Sequence, residues 1–211
     1  MKALLALLIL LAGGGVALAE EPAAPARPEA IVAYHDSGEW RADTTQVIRR
    51  AKRSIRRHLD DSVGRAAIVL DVDDTSLTNY WCLKAYGFDR SAADCGDQVL
   101  PAIPQTRSLF RWARKRDVAV FFITGRREEA RERTAANLRA AGFRGWPLKM
   151  RPDEQRGRWR DGWKARVRRA IVQRHGYRIL ANVGDQYSDL DGGWAERRFK
   201  LPNPMYVIPT A

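Results

Sequence analysis

Residues 66–75 read Ala-Ala-Ile-Val-Leu-Asp-Val-Asp-Asp-Thr, and this stretch decides the fold. The short apolar run from Ala66 to Val72 is typical of a strand that is buried on both faces of a parallel sheet. The run ends in polar residues, namely Asp71, Asp73, Asp74 and Thr75. Because folds with parallel sheets bind ligands at the carboxyl ends of their strands, we expect the functional site to include this end of the strand.

The rest of the chain alternates between helical and strand patterns. The spacing of apolar residues predicts helices over Trp40 to Leu59, Pro104 to Arg116, Glu128 to Ala141 and Trp159 to His175. Further strands are predicted over Val118 to Ile123, Trp146 to Met150, Tyr177 to Val183 and Tyr206 to Ile208. This alternation predicts a doubly wound, Rossmann-like α/β fold, with a parallel sheet and helices on both of its faces.

The N-terminal residues predict export. Lys2, the apolar run Ala3 to Ala12 and the A-x-A pattern at 17–19 match the three regions of a secretory signal peptide over residues 1–19. Residues 20–30 contain three prolines and no apolar face, which predicts a flexible leader. Residues 31–211 are then expected to form one domain, without a membrane span, that is periplasmic or extracellular after cleavage.

The composition excludes some classes of protein but does not identify a partner. Hydrophobic residues make up 45% of the chain, which excludes intrinsic disorder over most of its length. The 37 Lys and Arg residues outnumber 25 Asp and Glu residues, which gives a net charge of +12. Such a field attracts phosphorylated small molecules, nucleic acid or anionic headgroups without choosing among them. No basic cluster is interleaved with base-stacking aromatics, so nucleic acid is not expected as an obligatory partner.

Polar residues also follow two other predicted strands. The second strand runs into Thr124, Gly125 and Arg126, and the fourth into Gly184, Asp185 and, four residues later, Asp189. Carboxylates at two strand ends can share one hard cation through oxygen ligands, but they are too few for a closed calcium site. The sequence therefore predicts Mg²⁺, which retains several waters and takes a phosphate oxygen of the substrate.

The order of these motifs resembles that of a known family. D-x-D-x-T after a buried strand, a hydrophobic strand ending in Thr124, a helical Lys164 and G-D-x-x-x-D at residues 184–189 are similar to the four motifs of the haloacid dehalogenase (HAD) superfamily. The D-x-D-D-T form and the strand ending Phe-Phe-Ile-Thr-Gly-Arg at Arg126 most resemble the subfamily IIIB acid phosphatases, which include bacterial class C and plant vegetative-storage-type enzymes. The resemblance implies a HAD-like fold and a phosphomonoesterase that acts on small phosphomonoesters, with nucleotides as one class.

The resemblance also implies roles for the acidic residues. Asp71 is expected to be the nucleophile that forms an aspartyl-phosphate. Asp73 is expected to protonate the leaving oxygen and then to take a proton from the attacking water. Mg²⁺ would be held by the Asp71 side chain, the Asp73 backbone carbonyl and Asp185, with Asp189 as a ligand or as a partner of the ligands.

The remaining motif residues are expected to bind the phosphoryl group. Lys164 would supply a fixed positive charge, although Lys149 is an alternative because it follows a predicted strand. Thr124 would offer its hydroxyl, and the Gly125 N–H would lie just before a helix, where the helix dipole favours anions. Arg126 is either a structural cap or a substrate contact, and the sequence does not separate the two.

An insertion of residues 80–103 follows the first motif and is too long for a simple turn between a strand and a helix. In this superfamily such insertions cap the active site. Aromatic residues of the insertion are therefore candidates to stack on a nucleobase or an aromatic alcohol, or else to pack the insertion's own core: Tyr80, Trp81, Tyr86 and Phe88. Cys82 and Cys95 are expected to form a disulfide in an exported chain.

Two other functions remain open from the sequence. One is a non-catalytic phosphate-binding or storage protein on the same scaffold. The presence of the catalytic motif residues Asp71, Asp73 and Lys164 disfavours it. The other is a nucleic-acid-binding protein or an end-processing phosphatase, suggested by the positive charge. Steeply salt-dependent binding to DNA would favour that second alternative.

Overall fold

The computed structural model describes residues 25–60, 64–96, 98–145, 147–153 and 162–208. In this part of the chain, five parallel strands form a central sheet. The strands are β1 (Arg65–Leu70), β2 (Ala119–Arg127), β3 (Leu148–Arg151), β4 (Tyr177–Gly184) and β5 (Arg198–Lys200). Their order across the sheet is β3-β2-β1-β4-β5, so the strand of the D-x-D-D-T motif is central. The predicted signal peptide lies outside the described residues.

Helices connect the strands, as expected for a doubly wound fold. They are α1 (Pro28–Asp36), α2 (Glu39–Asp60), α3 (Tyr80–Ala85), α4 (Pro104–Arg114), α5 (Arg131–Ala140), α6 (Trp163–Gln173) and α7 (Tyr187–Leu190). Short 3₁₀ segments cover Ala92–Cys95 and Glu128–Ala130. None of the helices in the described part of the chain combines the length and the apolar character that a bilayer crossing requires.

The central strand is buried on both faces, as its apolar sequence predicts. Ile68 and Leu70 pack against residues of α2 and α4 on one face, whereas Ala67 and Val69 pack against residues of α6 on the other. Complete burial of a Val, Leu or Ile side chain stabilises a fold by roughly 1.5–3 kcal/mol. This strand therefore contributes to both halves of the core. It also holds in place the start of the loop over residues 71–79, which we call the motif loop.

Two predictions about the ends of the chain are wrong. The predicted flexible leader over 20–30 extends too far, because α1 begins at Pro28. Proline is compatible with the first turn of a helix, where its missing N–H would have no partner, and Ile31 of this helix is buried in the core. The predicted strand at Tyr206 to Ile208 is not formed, and the fifth strand is the short, basic β5 instead.

The insertion forms a small disulfide-linked lobe after β1. It contains α3 and the 3₁₀ segment Ala92–Cys95. Cys82 is bonded to Cys95, and their Cα atoms are 6.0 Å apart. Both cysteines are buried, and Phe88 of the insertion packs against the main core. The predicted disulfide is therefore confirmed.

Candidate active site

The register of the sheet places the first and last motifs side by side. Leu70 at the end of β1 pairs with Val183 of β4, and the backbone N–H of Asp71 donates to the Val183 carbonyl over 3.0 Å. Asp185 follows β4 directly. The carboxyl ends of two neighbouring parallel strands therefore bring these aspartates to one edge of the sheet, as predicted.

Three of the predicted metal ligands form one buried cluster. Asp71, Asp185 and Asp189 each offer an oxygen, and these oxygens lie within 4.8 Å of one another. A set of buried carboxylate oxygens fits a hard divalent cation of the magnesium type. The Asp73 side chain lies outside this group, so its predicted contribution is limited to its backbone carbonyl.

Lys164 is the lysine that the fold brings to the cluster. It lies in the first turn of α6, and its Nζ donates to Asp71 Oδ1 over 2.5 Å and to Asp189 Oδ1 over 2.6 Å. Lys149 lies on the edge strand β3, which is separated from β1 by β2. Burial alone would lower the pKa of Lys164, but the Asp189 and Asp71 carboxylates raise it above its ordinary value. This side chain therefore provides a fixed positive charge beside Asp71.

Burial, together with the crowding of the carboxylates, disfavours their charged forms. Burial, with the nearby Asp189, raises the pKa of Asp71 well above its usual range, although Lys164 opposes the shift. Burial also raises the pKa of Asp185 to about 7, and Asp189 and Asp74 shift it in the same direction. A divalent cation at this position would relieve the repulsion, so the electrostatics and the donor set fit the same kind of ligand.

The turn that carries Asp189 depends on a glycine and a buried arginine. A Cβ atom at Gly184 would lie 2.4 Å from the Asp189 Cβ, so only glycine allows this approach. Arg168 of α6 donates to the carbonyl of Asp189 over 2.7 Å, to that of Gly193 over 2.8 Å and to that of Asp191. The sequence does not reveal the role of Arg168, because an arginine in a basic helix gives no sign that it is buried.

Asp73 is held by Arg126. The guanidinium donates from Nε to Asp73 Oδ2 over 2.9 Å and from Nη2 to Oδ1 over 2.7 Å, while Nη1 donates to Thr134 Oγ1 over 3.3 Å. A second donor to Asp73 Oδ1 is Asn79 Nδ2, at 3.2 Å. All three side-chain nitrogens of Arg126 thus have a partner within the chain. The two bonds to Asp73 fix the orientation of its carboxylate.

The end of β2 is longer than predicted, which changes the expected role of Gly125. Thr124 is buried, and its Oγ1 accepts a hydrogen bond from the backbone N–H of Arg126 over 3.1 Å. Gly125 lies within β2, and α5 begins only at Arg131. The prediction that a helix dipole favours anion binding at the Gly125 N–H is therefore wrong. The end of β2 and a 3₁₀ segment lie between this residue and α5.

The motif loop is connected to β4 and to the C-terminal residues through buried polar groups. Thr75 Oγ1 donates to Asp185 Oδ1 over 2.9 Å. Asp74 adopts a left-handed backbone conformation, with φ of 49°, and accepts from the Asn79 backbone over 2.8 Å and from the Tyr206 hydroxyl over 2.6 Å. Burial raises the pKa of Asp74 to about 6. These contacts hold the loop that carries Asp71 and Asp73 in one conformation.

The aromatic residues of the insertion differ in their exposure. Tyr80 is 1% exposed, and its ring stacks on that of His35 with the centroids 3.5 Å apart, so the prediction that it binds substrate is wrong. The alternative of packing within the insertion's own core holds only in part, because Phe88 lies next to the Tyr80 ring but the stacked His35 belongs to α1. Trp81 is 57% exposed and Tyr86 is also exposed, so these two remain available to a ligand.

Comparison with known proteins gives a family for this arrangement. The family model described as HAD superfamily, subfamily IIIB (Acid phosphatase) matches residues 17–209. The chain is 39% identical to acid phosphatase 1 of Solanum lycopersicum over 69% of the chain and 60% of that protein. It is 30% identical to vegetative storage protein 1 of Arabidopsis thaliana over 67% of the chain and 55% of that protein.

A solved structure supports the fold. The class C acid phosphatase of Bacillus anthracis matches with a TM-score of 0.70 at 21% identity, over 86% of this chain and 85% of that one. At this identity the similarity concerns the architecture. The parallel sheet, its helices and the position of the insertion together confirm the predicted HAD-like α/β fold.

Proposed function

Since the chain belongs to the HAD superfamily, subfamily IIIB, the acid phosphatases, we propose that it hydrolyses small phosphomonoesters through a covalent phosphate on Asp71. The observation that carries this proposal is the contact of Lys164 with both Asp71 and Asp189 at the edge of β1 and β4. A phosphate dianion that approaches a carboxylate is repelled, and a buried ammonium beside that carboxylate offsets the repulsion. The geometry thus supports nucleophilic attack at this position.

Asp71 and Asp73 divide the reaction into two displacements. An Asp71 oxygen attacks phosphorus, and the bond from phosphorus to the alcohol oxygen breaks while Asp73 gives its proton to that oxygen. Asp73 then takes a proton from water, whose oxygen attacks phosphorus and breaks the bond to Asp71. Inorganic phosphate and the alcohol are the products, and both aspartates return to their starting forms.

Asp71, Asp185 and Asp189 would hold a divalent cation, and we propose that this cation is Mg²⁺. When bound, it would neutralise the charge that develops on the phosphoryl oxygens. Lys164 and the Thr124 hydroxyl would contact other oxygens of the same group. Arg126 would act mainly by holding Asp73, because both Nε and Nη2 donate to that carboxylate in a two-point contact.

Chelation is expected to abolish turnover. With EDTA present, hydrolysis of a phosphomonoester panel should fall by about 100-fold or more, because the charge on the transferred group loses its main counterion. Added Mg²⁺ should restore the rate. The measurement compares initial rates with EDTA alone and with EDTA plus excess Mg²⁺. Full turnover in EDTA would refute the metal proposal.

The same panel addresses the alcohol part of the substrate. Trp81 is exposed on α3, the helix that follows the motif loop along the chain, and an exposed indole favours flat aromatic groups such as nucleobases. We therefore expect nucleotides to be among the substrates and Trp81→Ala to lower kcat/KM for nucleotides more than for a small alkyl phosphate. Equal effects on both would remove Trp81 from substrate binding.

A storage role is the second candidate, supported by the similarity to vegetative storage protein 1. Storage requires no catalytic geometry, whereas here Lys164 contacts Asp71 and Arg126 holds the Asp73 carboxylate two residues further along the same loop. Purified protein that hydrolyses no ester of the panel at saturating Mg²⁺ would favour storage over catalysis.

Export through a signal peptide at residues 1–19 remains a proposal, since residues 1–24 lie outside the described part of the chain. The Cys82–Cys95 disulfide supports it, because such bonds persist in oxidising compartments. We expect the processed chain to begin at Glu20 and to contain no titratable thiol when denatured without reductant. Intact-mass analysis and thiol titration measure both, and retention of residues 1–19 or two free thiols would contradict export.

A further inference from the structure

The residues after β5 cross the edge of the sheet beside the carboxylate cluster. We call residues 201–208 the C-terminal segment. Its first backbone N–H, that of Leu201, donates to the Gly184 carbonyl over 2.8 Å, directly before Asp185. Asn203 of the segment then contacts the side chain of Asp185, and Tyr206 contacts that of Asp74 in the motif loop. It therefore lies where it can influence the metal-binding aspartates.

Asn203 makes the most direct of these contacts. Its Nδ2 donates to Asp185 Oδ2 over 2.7 Å, and its own Oδ1 accepts from the backbone N–H of Met205 over 2.9 Å. The second bond fixes which end of the amide faces Asp185, because the reversed amide would lose both interactions. Asn203 therefore presents a donor, and not an acceptor, to the carboxylate.

A second amide reaches the same oxygen. Gln186 Nε2 donates to Asp185 Oδ2 over 2.8 Å, and Gln186 Oε1 accepts from the backbone N–H of Ile208 over 2.9 Å. Two donors thus occupy Oδ2, while among the described residues Oδ1 accepts one side-chain hydrogen bond, from Thr75 over 2.9 Å. A carboxylate oxygen has two lone pairs, so these side-chain hydrogen bonds fill Oδ2 and leave one lone pair on Oδ1 for a cation.

We propose that Asn203 is a positioning residue for the cation site: it holds the Asp185 carboxylate in the orientation that binds the metal and thereby sets the affinity for a divalent cation. The inference rests on the cation dependence of the proposed function. Groups that orient metal ligands commonly change metal affinity by about 10–100-fold when they are removed. Asn203 does not itself touch the reacting atoms in this role.

A purely structural role for the segment is the alternative that the test has to separate. The segment is also fastened at a point that does not involve Asp185, since Trp40 Nε1 donates to the Pro202 carbonyl over 3.2 Å. Trp40→Phe removes that bond and keeps an aromatic ring. It is the matched control, because it loosens the segment without removing a donor from Asp185.

The experiment measures binding of Mn²⁺ alone to the full chain, by the EPR signal of the free ion and without substrate. Asn203→Ala should raise the Kd for Mn²⁺ by about tenfold or more, whereas Trp40→Phe should leave it unchanged. Turnover of Asn203→Ala should recover at saturating Mg²⁺. Should Asn203→Ala fail to fold, Asn203→Ser, whose hydroxyl is too short to replace the amide, gives the same comparison.

Three results would overturn the proposal. Unchanged affinity in Asn203→Ala would show that the amide does not position Asp185. Equal weakening in Asn203→Ala and Trp40→Phe would assign the effect to the folding of the segment. A wild-type chain that binds no Mn²⁺ but still hydrolyses phosphomonoesters would refute both the positioning role and the cation site, while leaving phosphatase activity established.

Discussion

Replacing Asp71 by Asn is expected to lower phosphatase turnover by about 10⁴-fold or more, the scale seen when a covalent nucleophile is removed from an enzyme. The amide is close in size to the carboxylate but does not form the phosphoenzyme. Lys164 keeps its contact with Asp189, so the fold of the site should survive. Steady-state assays at saturating Mg²⁺ measure the loss, and thermal unfolding measures the fold.

Asp89→Asn is the matched control, because it makes the same chemical change at an exposed position of the insertion. It should retain wild-type turnover. If Asp71→Asn also retains turnover near the wild-type level while both variants unfold at the same temperature, Asp71 is not the nucleophile.

The second large effect is expected at Asp73, and it should depend on the leaving group. An alkyl phosphate leaves as a basic alkoxide that requires a proton, whereas a nitrophenyl phosphate leaves as a stabilised phenolate that hardly requires one. Asp73→Asn should therefore slow phosphoenzyme formation by about 100-fold or more for the alkyl ester and by far less for the nitrophenyl ester.

Single-turnover formation of the phosphoenzyme, with enzyme in excess, is the measurement that isolates this step. Steady-state rates would hide the difference, because Asp73 is also proposed to activate water in the second displacement. Equal slowing of both esters would exclude Asp73 as the general acid. Its role would then be confined to the loop, where Arg126 and Asn79 hold its carboxylate.

The sequence predicted the centre of the fold because parallel strands buried on both faces leave a clear signal. The run from Ala66 to Val72 corresponds to β1 at Arg65–Leu70, and polar residues follow it at once. Asp71 and Asp185 were predicted for the same reason, since each directly follows a strongly patterned strand. Lys164 was expected only from the family resemblance, with Lys149 as the alternative. The structure then added what spacing does not contain, the contact of Lys164 with two carboxylates.

The supporting contacts were not predictable from local patterns. Asn203 contacts a side chain far away along the chain, and Arg168 contacts distant backbone carbonyls. The residues next to them in sequence therefore do not indicate these partners. The strand predicted at Tyr206 to Ile208 failed because apolar and β-branched residues also suit a segment that packs against loops. The backbone of residues 206–208 pairs with no described strand, and the Tyr206 hydroxyl donates to the buried Asp74.

In the proposed mechanism the phosphoryl group passes through a covalent bond to Asp71. Acid quenching of enzyme mixed with a phosphomonoester, followed by peptide mapping of the trapped phosphate, tests it most directly. We predict that phosphate is found on the peptide that contains Asp71, and that it accumulates for the nitrophenyl ester in Asp73→Asn, in which water activation is lost. Turnover of the wild-type chain with no trapped phosphate, together with none in Asp73→Asn, would contradict this mechanism.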